Sequence, residues 1–307
     1  MNRILESYKS DLELRGHAKT TIESELSVAE LFTKFLNGIN GIPQDIEKDD
    51  LKRYLSHLRS KNLRQGSIGH YFSAVNTFLD FLLEEGVINN NPAPHIRKRY
   101  LNSYKAEKRE RRIISVKDAV HLVNSIVDTR DKTIVLLLFK TGIRRKELVE
   151  LDVEDINFQD QSIMVKPTPK RTNRTVFFDR ETEIQLKRWL KARDSYGWNN
   201  TKKTKTKALF INRRGFRLTG VYLQKKIAEY ASHLGLHDPS SDKPEERFTP
   251  HCCRHWNNTH LLRAGMKREH VKWLRGDVPR ESIDIYYHID PEEVKQSYLN
   301  HMPIFGI

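Results

Sequence analysis

Three short segments, far apart in the chain, carry side chains that suit chemistry on a phosphate group. Residues 141–148 (TGIRRKEL) hold two arginines and a glutamate, residues 249–256 (TPHCCRHW) an arginine between two histidines, and residues 283–290 (IDIYYHID) two tyrosines. An arginine guanidinium stays charged and binds phosphate oxygens through a planar pair of donors. A tyrosine hydroxyl, with a pKa of about 10, becomes a nucleophile when a neighbour takes its proton.

In order and separation these segments resemble the catalytic boxes of the tyrosine recombinases of the integrase type. The first resembles the TG-x-R-x-x-E box, the second the H-x-x-R box, and the third the I-Y-x-H segment with the nucleophilic tyrosine. An H-x-x-R box alone arises by chance in many proteins, but three boxes in order, with a hairpin between the first two, are specific. The likeness covers residues 113–307, and the N-terminal region resembles the family's core-binding domain in pattern and size.

The resemblance implies a DNA strand transferase that needs neither a metal nor another cofactor. Arg144 and Arg254 would clamp the scissile phosphate, and Glu147 would support the arginine or its helix. His251 would act as the base or as a phosphate donor. Tyr286 would attack phosphorus and form a 3′-phosphotyrosyl bond, which conserves the energy of the broken phosphodiester. Consistently, we find no P-loop and no carboxylate cluster suited to a two-metal nuclease.

Two positions have a neighbour that could take the same role. Arg145 could replace Arg144, but the spacing to Glu147 favours Arg144. Tyr287 could replace Tyr286, but the I-Y-x-H pattern favours Tyr286.

The family's general acid is a lysine of the hairpin, which would protonate the departing 5′ oxygen. Lys170 fits best, because it lies four residues before Arg174 and the following strand. Lys166, at the edge of the first strand, is the second candidate. Both could instead be ordinary cations that contact the DNA backbone.

One segment departs from the family pattern. Nine residues before its nucleophile the family usually has a histidine or tryptophan that donates to the phosphate, and this chain has Asp277. Because a carboxylate repels a phosphate, Asp277 must be protonated, turned away, or bonded to His251 or an arginine. Arg275 is a candidate replacement donor. The variant resembles integrase-like proteins from archaea.

The basic side chains are unevenly distributed. The chain has 54 Lys and Arg against 40 Asp and Glu, a net charge of +14. Residues 1–95 hold 11 basic and 13 acidic side chains, residues 96–112 hold 8 and 2, and residues 113–307 hold 35 and 25. This pattern predicts an electrostatic footprint for a polyanionic partner, either nucleic acid or an anionic membrane surface, although a solvated connector at 96–112 is the alternative. The family resemblance implies that the partner is double-stranded DNA. The predicted contacts are Arg97, Lys98, Arg99, Lys105, Arg111, Arg112, Arg171 and Arg174.

The elements that must position these residues are mostly helices. The N-terminal region is predicted to form four or five helices, because apolar residues recur there at helical spacing. One apolar stripe is Val28, Leu31, Phe32, Phe35 and Leu36, and a second is Tyr71, Val75, Phe78 and Leu82. A buried helix at Lys132–Lys140 would end at Gly142, just before Arg144. Alternating residues at 162–165 and 175–178 predict a β-hairpin whose tip carries Lys166, Lys170, Arg171 and Arg174.

We therefore predict a mainly α protein with a small antiparallel β-hairpin or sheet, arranged as a two-domain DNA clamp. The boundaries are a helical core-binding (SAM-like) domain at 1–95, a basic linker at 96–112, and a catalytic domain at 113–307. The resemblance implies four copies on paired sites. The terminal stretch Pro291–Ile307 would dock either on a neighbouring copy or on its own domain.

Three other functions are alternatives to a recombinase. A type IB topoisomerase-like enzyme shares the chemistry, a catalytically impaired DNA-binding relative would explain Asp277, and a helix-turn-helix regulator would leave the three boxes unexplained.

The cysteines and hydropathy bear on location. The two cysteines, Cys252 and Cys253, are adjacent and do not form a CxxC pair, which favours a reducing, cytoplasmic compartment near the nucleoid. A zinc site with His251, His255 or His260 is a weaker alternative. We expect no membrane partner, because the longest apolar run is far shorter than the roughly 20 residues of a span.

Overall fold

The computed structural model describes residues 2–37, 46–101, 113–167, 173–196, 206–241, 243–277 and 289–307. It divides the chain into two compact units, Met1–Lys108 and Arg109–Ile307. The described residues are mainly helical with one small antiparallel sheet, so the predicted fold class is confirmed. None of the described helices is long and apolar enough to cross a membrane.

The first unit is helical throughout its described residues. Its elements are α1 (Asn2–Leu14), α2 (Lys19–Asn37), α3 (Lys48–Ser60), α4 (Gln65–Glu84), α5 (Ala93–Ile96) and a π-helical turn (Arg97–Leu101). The predicted apolar stripes form its core, with Phe32 and Phe78 fully buried. Leu31 is the exception at 45% exposed, because the contact face of α2 covers only part of the apolar stripe.

The region predicted as a basic linker begins inside this unit. Ile96 is buried, and Tyr100 and Leu101 pack against the core of the first unit. Residues 102–112 lie outside the described residues. Apolar contacts therefore hold the first turn of the charged segment in place. The sequence did not indicate these contacts, because charged residues dominate the segment.

The second unit surrounds one buried helix with further helices and a sheet. Its helices are α6 (Val116–Ser125), α7 (Thr129–Thr141), α8 (Arg145–Glu150), α9 (Arg180–Arg193), α10 (Gly220–His233), α11 (Pro250–Arg263), α12 (Arg268–Arg275) and α13 (Pro291–His301). Its strands are β1 (Ile156–Asn157), β2 (Ser162–Val165) and β3 (Arg174–Phe177), antiparallel in the order β1-β2-β3. Ile163 pairs with Val176 and both are fully buried, so the sheet packs its inner face on the core.

Helix α7 is the centre of this unit. Asp128 caps its N-terminus, and every residue from Thr133 to Phe139 is buried. Gly142 caps its C-terminus with φ of +60°. A Cβ there would lie 2.7 Å from Oδ1 of Asn257, so this turn requires glycine. The tight turn sets where the next residues, including Arg144, leave the core.

The last described residues pack on their own unit. Phe305 is 3% exposed and lies against Phe139 and Trp256. Lys140, fully buried, donates to the carboxylates of Asp179 and Glu181 and, at 2.7 Å, to the carbonyl of Pro303. Glu181 in turn accepts the backbone N–H of Phe305 at 2.8 Å. In this single chain, the described residues 291–307 contact their own unit.

Candidate active site

Arg144 stands at the start of α8, directly after the turn that ends α7. Its backbone N–H donates to Glu147 Oε2 at 2.7 Å, and its Nη1 donates to Glu147 Oε1 at 2.9 Å. Its side chain is 32% exposed. Arg145 points elsewhere, because it is exposed and donates to Gln224 on α10. The geometry thus gives these neighbouring arginines different surroundings.

Arg254 lies on α11 and is only 5% exposed. Its Nη1 donates to the carbonyl of Gly142 at 2.6 Å and its Nη2 to the carbonyl of Arg275 at 3.2 Å. Within the described ranges no carboxylate forms an ion pair with it. Burial, together with the nearby charges of Arg144 and Arg174, lowers the pKa of Arg254 to about 9. The side chain is still a cation at neutral pH, and it lies in a field that favours an incoming anion.

Glu147 is buried and accepts hydrogen bonds from two arginines. Arg174 donates to it through both Nη atoms, at 2.8 Å each, in a bidentate ion pair. Burial alone raises the pKa of Glu147, but the hydrogen bonds and charge of Arg174, with those of Arg144, lower it to about 2. Glu147 therefore stays a carboxylate over the whole physiological pH range.

Our expectation that Arg174 contacts DNA from the hairpin tip needs correction. Its side chain is 7% exposed, and its Nε also donates to the carbonyl of Leu274 at 3.0 Å. Because β3 begins at Arg174, the residue belongs to the strand and points inward against α8 and α12.

The end of α12 completes the cluster. Gly276 caps this helix with φ of +61°, and a Cβ there would lie 2.4 Å from Cδ of Arg174. The next residue, Asp277, forms an ion pair with Arg275, with 3.0 Å between Arg275 Nε and Asp277 Oδ2. Among the arrangements considered for Asp277, the structure has the one in which an arginine compensates its charge.

His251 lies in the first turn of α11, three residues before Arg254, and is exposed. Its ring is 4.6 Å from that of His255 in an edge-to-face contact. Cys253 is buried, and burial raises the pKa of its thiol, whereas Cys252 is partly exposed. Among the described residues no group of three or more His, Cys, Asp or Glu is placed to hold a metal ion.

Lys166 follows β2 and is bound to acidic neighbours. Its ammonium contacts the carboxylates of Asp152 and Asp155 and the carbonyl of Glu150. Partial burial lowers the pKa of Lys166, but the hydrogen bonds that its ammonium donates to Asp152 and Asp155 outweigh this and raise it.

Several predicted site residues lie outside the described residues, namely Tyr286, its neighbour Tyr287, Lys170, Arg171, Lys105, Arg111 and Arg112. On the π-helical turn of the first unit, Lys98 and Arg99 are exposed and Arg97 is half-buried.

Asn257 is a residue that the motifs did not indicate. Its amide donates at 2.8 Å to the carbonyls of Phe139 and Lys140, the last turn of α7. It thereby joins α11, which carries Arg254, to the turn that carries Arg144. Its place one helical turn after Arg254 was the only signal in the sequence.

Two family descriptions match this chain. The description "Phage integrase family" matches residues 109–293, and "Phage integrase, N-terminal SAM-like domain" matches residues 4–88. The tyrosine recombinase XerC of Pelotomaculum thermopropionicum is 29% identical over 268 residues, covering 85% of this chain and 83% of the relative. XerC of Thermodesulfovibrio yellowstonii is 26% identical over 305 residues, covering 98% and 90%.

Solved structures share the fold. The Tn1549 transposon integrase in complex with transposon right end DNA has a TM-score of 0.69 at 17% identity, covering 95% of this chain and 97% of that one. A lambda integrase dimer bound to a COC′ core site has a TM-score of 0.66 at 15% identity, covering 93% and 76%. Together the two family matches span most of the chain, which therefore belongs to the phage integrase family of tyrosine recombinases.

Proposed function

We propose that this protein is a site-specific DNA recombinase that cleaves and rejoins strands through a 3′-phosphotyrosyl intermediate at Tyr286. The observation that carries the proposal is the buried guanidinium of Arg254, which forms no ion pair among the described residues and lies near Arg144. Buried charges in proteins are usually paired, because an unpaired one loses its hydration without compensation. A phosphate placed between these arginines supplies the missing anion.

The two arginines would stabilise the transition state of phosphoryl transfer. Charge develops on the non-bridging oxygens as the nucleophile approaches, and donors already fixed in place stabilise it without reorganisation. Arg254 is held by two carbonyls and Arg144 by Glu147, so both are preorganised. Glu147 would act on Arg144 rather than on DNA.

Tyr286 would act as the nucleophile. Its hydroxyl attacks phosphorus, the bond from phosphorus to the 5′ oxygen breaks, and a free 5′-hydroxyl leaves. Attack by a 5′-hydroxyl on the phosphotyrosyl bond reverses the step and rejoins the strand. The packing of Leu274 and Ile289 supports this role. These residues lie on either side of the segment that contains Tyr286, and both belong to one hydrophobic cluster.

Different residues would transfer the proton of the tyrosine hydroxyl and the proton of the departing 5′ oxygen. His251 would accept the proton of the phenol or donate to the phosphate, and it lies on the same helix face as Arg254. We assign the general acid to Lys170. The acidic partners of Lys166 support this choice, because they raise its pKa and stabilise its ammonium against proton loss. Arg275, beside Asp277, would be an auxiliary phosphate donor.

The basic connector would bind the DNA backbone. The exposed side chains of Lys98 and Arg99, and Arg97 beside them, support this role. We assign further phosphate contacts to Lys105, Arg111, Arg112 and Arg171. Arg174 is withdrawn from this set.

The remaining features of the proposal concern assembly and setting. We propose that residues 1–95 and 113–307, joined by a basic linker, grip the duplex as a clamp, and that four copies act on two sites. The dimeric state of the lambda integrase complex supports assembly on DNA. Two free cysteines support the cytoplasm as the compartment. Because Asp277 replaces the usual histidine or tryptophan, we propose that this protein is related to the archaeal integrase-like proteins.

The alternatives differ from this proposal in what they do after cleavage. A topoisomerase-like enzyme would relax supercoils without exchanging partners, and an impaired relative would bind without cleaving. The match of residues 4–88 to a phage integrase N-terminal domain favours recombination over relaxation. The presence of Arg144, His251, Arg254 and Tyr286 favours an active enzyme over an impaired relative.

A nicked suicide substrate tests the proposal. The protein is incubated with a duplex carrying its attachment site, nicked next to the cleavage position so that the released oligonucleotide diffuses away. We expect a covalent protein–DNA adduct that survives denaturation, and we expect Tyr286→Phe to abolish it while Tyr287→Phe retains it. If the wild-type protein forms no adduct on its own site, the proposal is wrong. Plasmids with paired sites then separate recombination from relaxation.

A further inference from the structure

Arg174 connects three elements of the second unit that are distant in the chain. From β3 its Nη atoms reach Glu147 on α8, 27 residues away, and its Nε reaches the carbonyl of Leu274 on α12, 100 residues away. Gly276 leaves the space through which its side chain passes. A buried arginine with this many fixed partners contributes geometry rather than surface charge.

The carboxylate of Glu147 has no acceptor capacity left. A carboxylate offers about four lone pairs. Oε1 accepts from Arg174 Nη1 and Arg144 Nη1, and Oε2 accepts from Arg174 Nη2 and the backbone N–H of Arg144. Arg174 therefore fixes both oxygens in one plane, and that plane sets the direction of Arg144.

The second contact of Arg174 acts on the other arginine. The carbonyl that accepts from Arg174 belongs to Leu274, and the carbonyl of the next residue, Arg275, accepts from Arg254. A shift of Leu274 would therefore also move the neighbouring carbonyl that accepts from Arg254.

We infer that Arg174 is a positioning residue for strand cleavage, which sets the relative placement of Arg144 and Arg254 through Glu147 and the end of α12. This inference rests on the proposed function, and it replaces DNA contact as the role of Arg174. A displacement of about 1 Å between groups that act on one reacting centre costs on the order of 100-fold in rate.

The test separates binding from chemistry in single-turnover reactions on the suicide substrate. Arg174→Lys keeps the charge but loses the planar fork, and we expect adduct formation to slow by at least about tenfold, with the Kd for the site changed less than threefold. Gly276→Ala, which pushes the side chain of Arg174 without removing it, should show the same split. Arg180→Lys is the matched control, because Arg180 is 73% exposed and pairs only with Glu183 among described residues.

A double-mutant cycle with Arg144→Ala distinguishes positioning from a general structural role. In the Arg144→Ala background only the effect through the end of α12 is left, so Arg174→Lys should slow the reaction clearly less there than it does in the wild type. Full multiplication of the two defects would overturn the inference, as would a weaker Kd that accounts for the whole loss, or an unchanged rate in both Arg174→Lys and Gly276→Ala. Absence of an adduct in the wild type instead refutes the proposed function, and the inference falls with it.

Discussion

Replacement of Lys140 by methionine should destabilise the second unit more than the loss of a surface salt bridge would. The ammonium of Lys140 is fully buried and donates to Asp179, Glu181 and the carbonyl of Pro303. Lys140→Met keeps most of the side-chain volume but leaves two carboxylates and a carbonyl without their shared donor. Removing one partner of a buried ion pair costs about 3–5 kcal/mol. Asp179 and Glu181 are 17% and 16% exposed, so we expect the lower end of that range.

The assay is urea unfolding followed by tryptophan fluorescence. All four tryptophans of the chain lie after residue 109, so the signal reports only the second unit. With an m-value of about 2 kcal/mol/M, a loss of about 3 kcal/mol moves the midpoint down by about 1.5 M. Lys187→Met is the matched control, since Lys187 contacts Glu183 at 2.6 Å but is 56% exposed. Because Lys187 is mostly exposed and Glu183 keeps Arg180 as a partner, its loss should cost about 0.5 kcal/mol, which moves the midpoint by about 0.25 M.

The pH dependence provides a second check on the same variant. Burial raises the pKa of Glu181, but the hydrogen bond from Lys140 and the N–H of Phe305 lower it below its ordinary value of 4.5. A lowered pKa gives stability that is present above pH 4.5 and is lost as the pH falls through the folded-state value. The difference between wild type and Lys140→Met should therefore shrink below pH 4.5. Equal midpoints for Lys140→Met and Lys187→Met, or a difference independent of pH, would refute the reasoning.

Three further predictions follow from single contacts. Phe305→Ala should lower the stability of the second unit by about 3–5 kcal/mol in the same urea assay, because the ring is buried in the core, and a loss under 1 kcal/mol would contradict this. A thiol reagent should modify Cys252 quickly in the native protein and Cys253 only after unfolding, since Cys253 is fully buried; two equally fast thiols would contradict it. Gly142→Ala should slow adduct formation and lower the urea midpoint, because its Cβ meets Asn257, and wild-type values for both would argue against a required glycine.

The helical framework was predictable because it depends on local periodicity. The stripe that includes Val75, Phe78 and Leu82 needs only one buried face to specify α4, and the structure buries all three. The hairpin followed from alternation and a turn-rich connection, and β2 and β3 pair as expected. The motifs likewise gave the family, because three boxes in order restrict the fold.

The polar interior was not predictable in the same way. Arg174 looked like one more cation of a basic hairpin, and only the packing of β3 against α8 and α12 brings it to Glu147. Lys140 at the end of an apolar helix gave no sign that its partners, Asp179 and Glu181, lie about forty residues later. Such pairings depend on tertiary register, which no local pattern encodes.

The long-range origin of the Arg174 and Arg254 contacts has a consequence during synthesis of the chain. Arg254 reaches back 112 residues to Gly142, and Arg174 reaches forward 100 residues to Leu274. A ribosome-bound chain that stops short of α12 contains Arg174 and Arg254 but lacks the carbonyls of Leu274 and Arg275 that accept from them. Contacts between distant residues form late, since the intervening loop must close first. We therefore expect a chain that ends before α12 to hold Arg174 and Arg254 less firmly than the 307-residue chain does.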